Sequence, residues 1–213
     1  MAKPDQVWLY RITHTDNLPH ILRHGFTTAA SPNADPDFRA IGDQSLIGVR
    51  KDLEVPIEPG GNFSEYVPFY MGPRSPMLYQ IATGYEGVEK IPQGEIVYIV
   101  VNHDCIEKKG LEYVFTDGHA RHTMTQFFNS PENFEQLDWD TIYAKRWSNI
   151  PEDPDRQRRK QAEYLVKGYV PVDCFAYILT NSENTKQKIE SLLEDSGVEI
   201  PVRISNEAYY DNV

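Results

Sequence analysis

Hydrophobic residues follow two spacings along the chain, and each spacing predicts a different kind of element. Short β-branched and aromatic runs are typical of strands, and the run 96–101 (IVYIVV) predicts a strand that is buried on both faces. Apolar residues three and four positions apart, such as Ile189, Leu192 and Leu193, predict amphipathic helices. Both spacings occur repeatedly, so we expect strands and helices within one core.

Taken in order, these elements predict an α+β fold. Strands are predicted at residues 7–13, 67–71, 95–101, 113–116, 162–166, 175–179 and 202–205. Helices are predicted at residues 16–24, 75–83 and 104–109, and between the cap Ser182 and the stop Gly197, with weaker periodicity at 41–51. Residues 27–37 are small and polar and predict a mobile loop. Because strands and helices do not alternate regularly, the pattern favours α+β over a parallel βαβ arrangement.

The composition excludes several classes of protein. The chain has 213 residues, 40% of them hydrophobic and 25% charged, which is typical of one folded domain covering residues 1–213 rather than of a disordered chain. The apolar run 96–101 is far shorter than the roughly 18 residues that cross a bilayer, and no secretory signal is visible at the N-terminus. We therefore expect a cytoplasmic protein with no membrane partner.

The cysteines and histidines give no sign of a metal site. Cys105 and Cys174 do not form a CxxC pair, which argues against a disulfide framework and against a cysteine-rich zinc site. His119 and His122 are three residues apart, but no convincing third ligand accompanies them. We expect no metal, and a reducing compartment suits such a chain.

The net charge of −11 argues at first against a nucleic-acid partner. The charge is unevenly distributed, however, because residues 131–140 contain four acids and no base, while Arg156, Arg158, Arg159 and Lys160 are nearly adjacent. This basic cluster predicts either a local groove for an anionic ligand or a solvated charged turn. The surrounding segment, 118–160, is long, irregular and rich in aromatic residues, which is typical of a functional insertion.

Five separated motifs remain that no common nucleotide or hydrolase signature explains. They are YRITHTDNLPHIL (10–22), Arg50 before the EVPIEPGG turn, YVPFYMGPRSPMLY (66–79), FTDGHA (115–120) and RRKQAEYLV (158–166). Together, and in this order, they resemble the DarT family of DNA ADP-ribosyltransferase toxins. The resemblance runs from Leu9 to about Tyr210.

The resemblance implies an ADP-ribosyltransferase fold, in which two packed small β-sheets and flanking helices form a cleft for NAD. It implies an enzyme that uses NAD as donor and transfers ADP-ribose to thymine or guanine of single-stranded DNA in a short sequence context. It also implies that segment 118–160 selects the substrate, and that a macrodomain antitoxin is the partner of a toxin.

Glu163 and Arg50 are the catalytic residues that the resemblance implies. Breaking the nicotinamide–ribose bond develops positive charge on the ribose, and a carboxylate facing that charge stabilises the transition state. An arginine is always charged, so Arg50 is better suited to stabilising an anionic base or the NAD pyrophosphate than to removing a proton. The alternatives are a surface glutamate paired with Lys160 and an ordinary surface arginine.

The first motif implies the NAD contacts. Arg11, Ile12 and Thr13 match the first-strand segment that holds NAD, although some relatives carry histidine at the position of Arg11. His14 and His20 are further candidates, and Arg50 is a candidate on the pyrophosphate. His14 could equally orient the following helix, and His20 has the position of an ordinary surface histidine.

The remaining motifs imply the DNA contacts. An unpaired base needs an apolar or aromatic platform and a cation near its phosphate. The candidates are Tyr70, Arg74, Met77, His119, Arg158 and Arg159. Core packing is the alternative for Met77, and a turn histidine bonded to Asp117 is the alternative for His119.

Two other functions remain open from the sequence. The same fold could modify an RNA base or a protein side chain, or could hydrolyse NAD, and the acidic balance slightly favours such an acceptor. A non-catalytic module that binds NAD or nucleic acid is disfavoured because Glu163 and Arg50 are both present.

Overall fold

The computed structural model describes residues 2–43, 48, 49 and 52–211. Its strands are β1 (Trp8–His14), β2 (Phe26–Thr27), β3 (Tyr66–Tyr70), β4 (Ile96–Asn102), β5 (Tyr113–Thr116), β6 (Phe127–Phe128), β7 (Glu163–Lys167), β8 (Tyr169–Val170), β9 (Phe175–Thr180) and β10 (Val202–Ile204). The α-helices with assigned bounds are α1 (Leu18–His24), α2 (Pro76–Thr83), α3 (His103–Lys108), α4 (Trp139–Tyr143), α5 (Arg156–Lys160) and α6 (Glu183–Ser196).

The predicted strands and helices are confirmed to within about two residues. Ser75 and Ser182 accept hydrogen bonds from the first turns of α2 and α6, which is the capping that the sequence predicted for α6. Gly25 ends α1 with a φ of 74°, a conformation that favours glycine. The helix predicted at 41–51 lies largely outside the described residues.

The larger sheet consists of two four-stranded halves, β10-β9-β4-β1 and β3-β7-β5-β6, and β2 and β8 form a separate ribbon. Strand β1 pairs with β4 along its whole length, whereas among the described residues its registered pairing with β3 is limited to Tyr10–Tyr70. The ladder between the halves is thus interrupted beside residues 11–14, and we call this interruption the gap. The two halves correspond to the two small sheets that the sequence resemblance implied.

Pro68 accounts for the end of the β1–β3 ladder. Its carbonyl faces β1, because it accepts a hydrogen bond of 2.7 Å from Arg11 Nη1. The nitrogen and carbonyl of a strand residue point to the same neighbouring strand, so the ring nitrogen of Pro68 also faces β1 and has no hydrogen to donate. The guanidinium of Arg11 thus replaces a ladder bond across the gap.

The two faces of the sheet are covered differently. The largest core lies on one face under α1 and α6, and Leu22 and Ile189 are buried in it. The other face has two smaller cores, one around Leu78 of α2 and one around Leu165 of β7. On this second face each half of the sheet therefore has its own core.

Segment 118–160 contains short elements and is fixed to the sheet by a buried lysine. Lys160 is 3% exposed, and its Nζ donates to the carbonyls of Pro73 (2.9 Å), Ile142 (2.7 Å) and Ala144 (3.1 Å). Burial lowers the pKa of Lys160 to about 7, and the charge of Arg74 acts in the same direction. The carbonyls oppose this shift, since the ammonium form alone offers three N–H donors.

Cys105 and Cys174 form a disulfide, with Cα atoms 5.5 Å apart. A single bridge is not a framework of several disulfides, but the expectation of a reduced pair was wrong. The two residues are 69 positions apart, so their spacing carried no local signal. None of the helices in the described part of the chain combines the length and the apolar character that crossing a bilayer requires.

We expect Lys160→Met to lower the free energy of unfolding by about 3 kcal/mol or more. The variant leaves three largely buried carbonyls without a donor, and each unsatisfied group costs about 1–3 kcal/mol. Urea unfolding measures the change, with Lys188→Met on the exposed side of α6 as the control, which should stay within about 0.5 kcal/mol of the parent. Equal stability of the two variants would contradict the anchoring role.

Candidate active site

A row of directly paired residues crosses the junction of the two halves. Tyr10 of β1 is paired with Tyr70 of β3, and Tyr70 is paired with Glu163 of β7. Side chains of directly opposed strand residues lie on the same face of a sheet, so these three share one face. With strands about 4.8 Å apart, Glu163 lies roughly 10 Å from Tyr10 across the junction.

Glu163 is a buried carboxylate held in a fixed position. It is 2% exposed, and its Oε1 accepts a hydrogen bond of 3.0 Å from the backbone N–H of Ala120. Its own N–H donates to the Oγ1 of Thr116 at 3.0 Å. A buried carboxylate requires such partners because desolvation alone would be costly. The end of β5 and the loop that follows it therefore orient Glu163, and the surface pairing with Lys160 is not observed among the described residues.

The loop after β5 is itself tied to α5. Arg158 Nη1 donates to Asp117 Oδ1 at 2.9 Å, and the backbone N–H of His119 donates to the carbonyl of Arg158 at 2.9 Å. A Cβ on Gly118 would lie 2.9 Å from the same carbonyl oxygen and closer still to the guanidinium, so this close approach requires glycine. Arg158 thus fixes the loop that positions Glu163.

Arg158 and Arg159 are neutralised by carboxylates within the protein. Arg158 also binds Asp155 (2.7 Å), and Arg159 binds Asp138 (2.9 Å) and Asp153 (2.8 Å). The hydrogen bond from Arg158 holds the pKa of the Asp155 carboxyl below its usual value, so the pair stays charged at neutral pH. These contacts favour a structural role over the DNA contact that the sequence resemblance implied.

The first motif lies beside the gap, but its side chains point to both faces of the sheet. Ile12 lies on the Glu163 face in the core around Leu78, whereas the guanidinium of Arg11 lies 5.0 Å from the ring centroid of Phe26 on the opposite face. Thr13 is 1% exposed and accepts a hydrogen bond from Asn17 Nδ2 (3.0 Å). Strand alternation thus divides these candidates between the two faces.

His14 and His20 organise the chain around α1. His14 is buried, and its Nδ1 accepts from the N–H of Asp16 (3.1 Å) while Nε2 lies 3.0 Å from Glu95 Oε2. This is the helix-orienting arrangement that the sequence left open. His20 Nε2 lies 2.9 Å from the carbonyl oxygen of Asn33, which places it against the loop predicted at 27–37.

Asn17 was not among the predicted site residues, yet it joins the residues that follow the loop 27–37 to β1. Its Nδ2 also donates to the carbonyl of Arg39 (2.9 Å), and its Oδ1 accepts from the N–H of Arg39 (2.8 Å). Asn17 belongs to the motif that carried the resemblance, but only the fold brings it to Arg39. Thr116 and Ala120 were missed in the same way within FTDGHA.

Three of the proposed DNA contacts lie at the end of β3, just after it and on α2. Tyr70 lies beside Glu163 in the row, and the Met77 side chain lies over Gly42 at the edge of the core around Leu78. Arg74 contacts the C-terminal segment, with its guanidinium carbon 4.6 Å from the ring centroid of Tyr210. Arg50 lies outside the described residues.

Comparison with known proteins identifies the family. The family model described as "ssDNA thymidine ADP-ribosyltransferase, DarT" matches residues 10–210. The chain belongs to the DarT family. A DNA ADP-ribosyl transferase of Escherichia coli O127:H6 is 33% identical over 207 residues, which cover 97% of this chain and 95% of that protein.

Solved DarT structures have the same fold. Thermus sp. 2.9 DarT in complex with ADP-ribosylated ssDNA matches with a TM-score of 0.90 and 34% identity, and the match covers 99% of both chains. The same protein in complex with NAD+ matches with a TM-score of 0.83 and 34% identity over 97% of this chain and 99% of that one. The expected ADP-ribosyltransferase fold is thereby confirmed.

A more distant relative is a fusion protein that is named for two activities. It is a DNA ADP-ribosyl transferase-DNA ADP-ribosyl glycohydrolase fusion protein of Thermosipho africanus. It is 23% identical over 195 residues, which cover 90% of this chain and 47% of that protein. The transferase-like region therefore makes up about half of the fusion.

We expect Arg158→Gln to lower the free energy of unfolding by about 1–3 kcal/mol, because it removes the charged partner of two half-buried carboxylates. Thermal or urea unfolding measures this, with Arg156→Gln on the same helix as the control. No ion pair of Arg156 with a carboxylate occurs among the described residues. The variant could instead be as stable as the parent and bind DNA with a weaker salt dependence than the parent. That result would show that Arg158 contacts a DNA phosphate.

Proposed function

We propose that the protein transfers ADP-ribose from NAD to a thymine base of single-stranded DNA in a short sequence context. Family membership makes the chain an NAD-dependent DNA ADP-ribosyltransferase. The observation that carries the residue-level proposal is the buried, doubly anchored Glu163 in the row that crosses the junction of the two sheet halves. Thymine is favoured over guanine because the matching family model is described for thymidine.

Glu163 is proposed to act on the ribose. As the bond from C1′ of the ribose to nicotinamide breaks, the bond electrons leave with nicotinamide and the ribose becomes cationic. A carboxylate held by the Ala120 amide is already oriented toward this charge, so it stabilises the transition state without reorganising. A ring nitrogen of the base then bonds to C1′, and the proton that it carried passes to solvent water.

NAD is proposed to lie in the gap bordered by residues 11–14. Apart from the Tyr10–Tyr70 pair, no registered pairing of β1 with β3 occurs in the described part of the chain, so the β1 edge beside the gap offers backbone donors and acceptors to a ligand. Ile12 and His14 lie along this edge, while Arg11 and Thr13 hold its geometry through Pro68 and Asn17. His20 supports the loop above α1.

The acceptor base is proposed to enter beside Tyr70 and Met77, with His119 on the loop that holds Glu163. An aromatic ring and a thioether form an apolar platform for a base that has left its stack. Arg50 is proposed to stabilise the base as its proton leaves, or the pyrophosphate of NAD. A guanidinium suits either role because it stays charged.

The biological setting is proposed to be a toxin with a macrodomain antitoxin that removes the modification. The fusion of a related transferase with a DNA ADP-ribosyl glycohydrolase supports this partner, because the two activities make and remove the same bond. A cytoplasmic location, with DNA as the target, is part of the same proposal. An RNA base or a protein acceptor is the second candidate, and the net charge of −11 favours it slightly.

We expect Glu163→Gln to lower DNA labelling by about 10²–10³-fold or more while NAD still binds, since the lost charge acts chiefly on the transition state. Labelled NAD measures transfer, and calorimetry measures binding. Glu190→Gln, a change of the same kind on α6, is the control and should keep full activity. A Glu163→Gln enzyme with parental transfer would refute the catalytic assignment.

In the same assays Arg50→Ala should impair transfer more than NAD hydrolysis if Arg50 serves the base.

We expect modification of single-stranded oligonucleotides and little modification of the same sequence in a duplex. A paired base must first be unstacked and unpaired, at a cost of a few kcal/mol, and so acidic a chain has few cations with which to offset it. Parallel assays on single strands, duplexes and RNA, with thymine replaced by each other base, measure this preference. Equal labelling of both DNA forms would contradict the proposal, and labelling of RNA alone would favour the second candidate.

A further inference from the structure

A second pocket lies on the Glu163 face, on the far side of β1 from the gap. We call it the tyrosine pocket, a cavity of about 420 Å³ lined by Tyr10, Tyr143, Tyr177, Arg74 and Arg203, among others. Its walls come from β1, β9, β10, the residues after β3 and the end of α4. Most of these residues lie outside segment 118–160.

The register of the sheet connects this pocket to Glu163. The row that begins with Glu163, Tyr70 and Tyr10 continues through Val100 of β4 to Tyr177 of β9, each directly paired with the next. All five side chains therefore share one face. With a strand spacing of about 4.8 Å, the pocket begins roughly 10 Å from Glu163 and ends roughly 20 Å from it.

The pocket combines aromatic rings with arginines. The guanidinium carbon of Arg203 lies 4.3 Å from the ring centroid of Tyr177. Burial, with the neighbouring Tyr143 and Tyr177 acting in the same direction, raises the pKa of the Tyr10 hydroxyl above its usual value, so the hydroxyl stays protonated at neutral pH. Rings for stacking and cations for phosphates are the two components of single-strand binding sites.

Arg74 is held in an unusual state at the wall of this pocket. Its φ is 55°, which is uncommon for a residue other than glycine, and it is fixed by hydrogen bonds from its N–H to the Tyr98 hydroxyl (3.0 Å) and from the Tyr210 hydroxyl to its carbonyl (2.7 Å). Its Nε is buried and has no hydrogen-bond partner among the described residues. Such strain and an unsatisfied donor are typical of ligand clamps.

The charge of the pocket contrasts with that of the chain. Three bases and one acid are found among its described lining residues. The exposed Lys145 and Glu207 are paired with each other at 2.9 Å. Arg74 and Arg203 then remain as a local excess of positive charge in a chain of net charge −11. An anionic ligand is therefore favoured here over a neutral or cationic one.

We propose that the tyrosine pocket binds a nucleotide that flanks the modified base of the single-stranded DNA. Its base packs against the partly exposed Tyr143 at the pocket wall, and its phosphodiester group contacts Arg203 and Arg74. This inference rests on the proposed function. It adds β9, β10 and the C-terminal segment to the residues that select sequence context, which the sequence analysis assigned to segment 118–160 alone.

The test is a binding assay without NAD, so that no transfer occurs. A series of labelled oligonucleotides keeps the target thymine and is shortened by one flanking nucleotide at a time from either end. Each oligonucleotide is titrated with the protein, and fluorescence anisotropy measures binding. For the parent protein, removal of the flank that enters the pocket should weaken binding about tenfold. Arg203→Gln should bind the long oligonucleotide about tenfold more weakly, lose that dependence on flank length, and show a salt slope smaller by about 0.7.

The matched control is Lys188→Gln, which removes the same charge from an exposed position on α6. It should bind like the parent, and urea unfolding should show that both variants are folded. If Arg203→Gln instead keeps the flank dependence and the salt slope of the control, the pocket does not bind DNA even though the proposed function stands. If the parent neither binds nor labels single-stranded DNA, the proposed function fails and this inference fails with it.

Discussion

The arrangement of the site depends on the Tyr10–Tyr70 pair, the single registered pair that joins the two halves of the sheet in the described part of the chain. Tyr10 and Tyr70 hold β1 and β3 together at one point, and Pro68 cannot donate the next hydrogen bond of a ladder. Had the ladder continued, the backbone of residues 11–14 would be fully paired on both edges. Because it stops, the same strand supports a core on one side and borders a gap on the other, with Glu163 in the row that crosses the junction.

Charges buried around this junction are satisfied mainly by backbone groups and paired side chains. Lys160 donates hydrogen bonds to three carbonyls, Arg158 donates to two carboxylates, and the Ala120 amide donates to the Glu163 carboxylate. These contacts position segment 118–160 together with Phe134, Trp139 and Ile142, which are buried in the largest core. They also explain how an acidic chain keeps a basic cluster at residues 156–160, since most of that charge is used internally.

Much of the fold could be predicted from the sequence, because local spacing determines it. The run that became β4 and the capped helix α6 follow from periodicity and end signals. The disulfide, the Asn17–Arg39 contact and the Tyr10–Tyr70 junction could not be predicted, since each joins residues that only the tertiary fold brings together. The motifs identified Glu163 by resemblance. The resemblance also implied that Arg158 and Arg159 contact DNA, and their carboxylate partners became visible only in three dimensions.

The proposed site places NAD in the gap between the halves, with its reacting ribose against Glu163. A crystal structure of the protein with bound NAD would test this placement. We expect the nicotinamide ribose within hydrogen-bond distance of the Glu163 carboxylate, about 2.6–3.2 Å, and the rest of NAD along the β1 edge at residues 11–14. NAD bound elsewhere, with its ribose remote from Glu163, would contradict it.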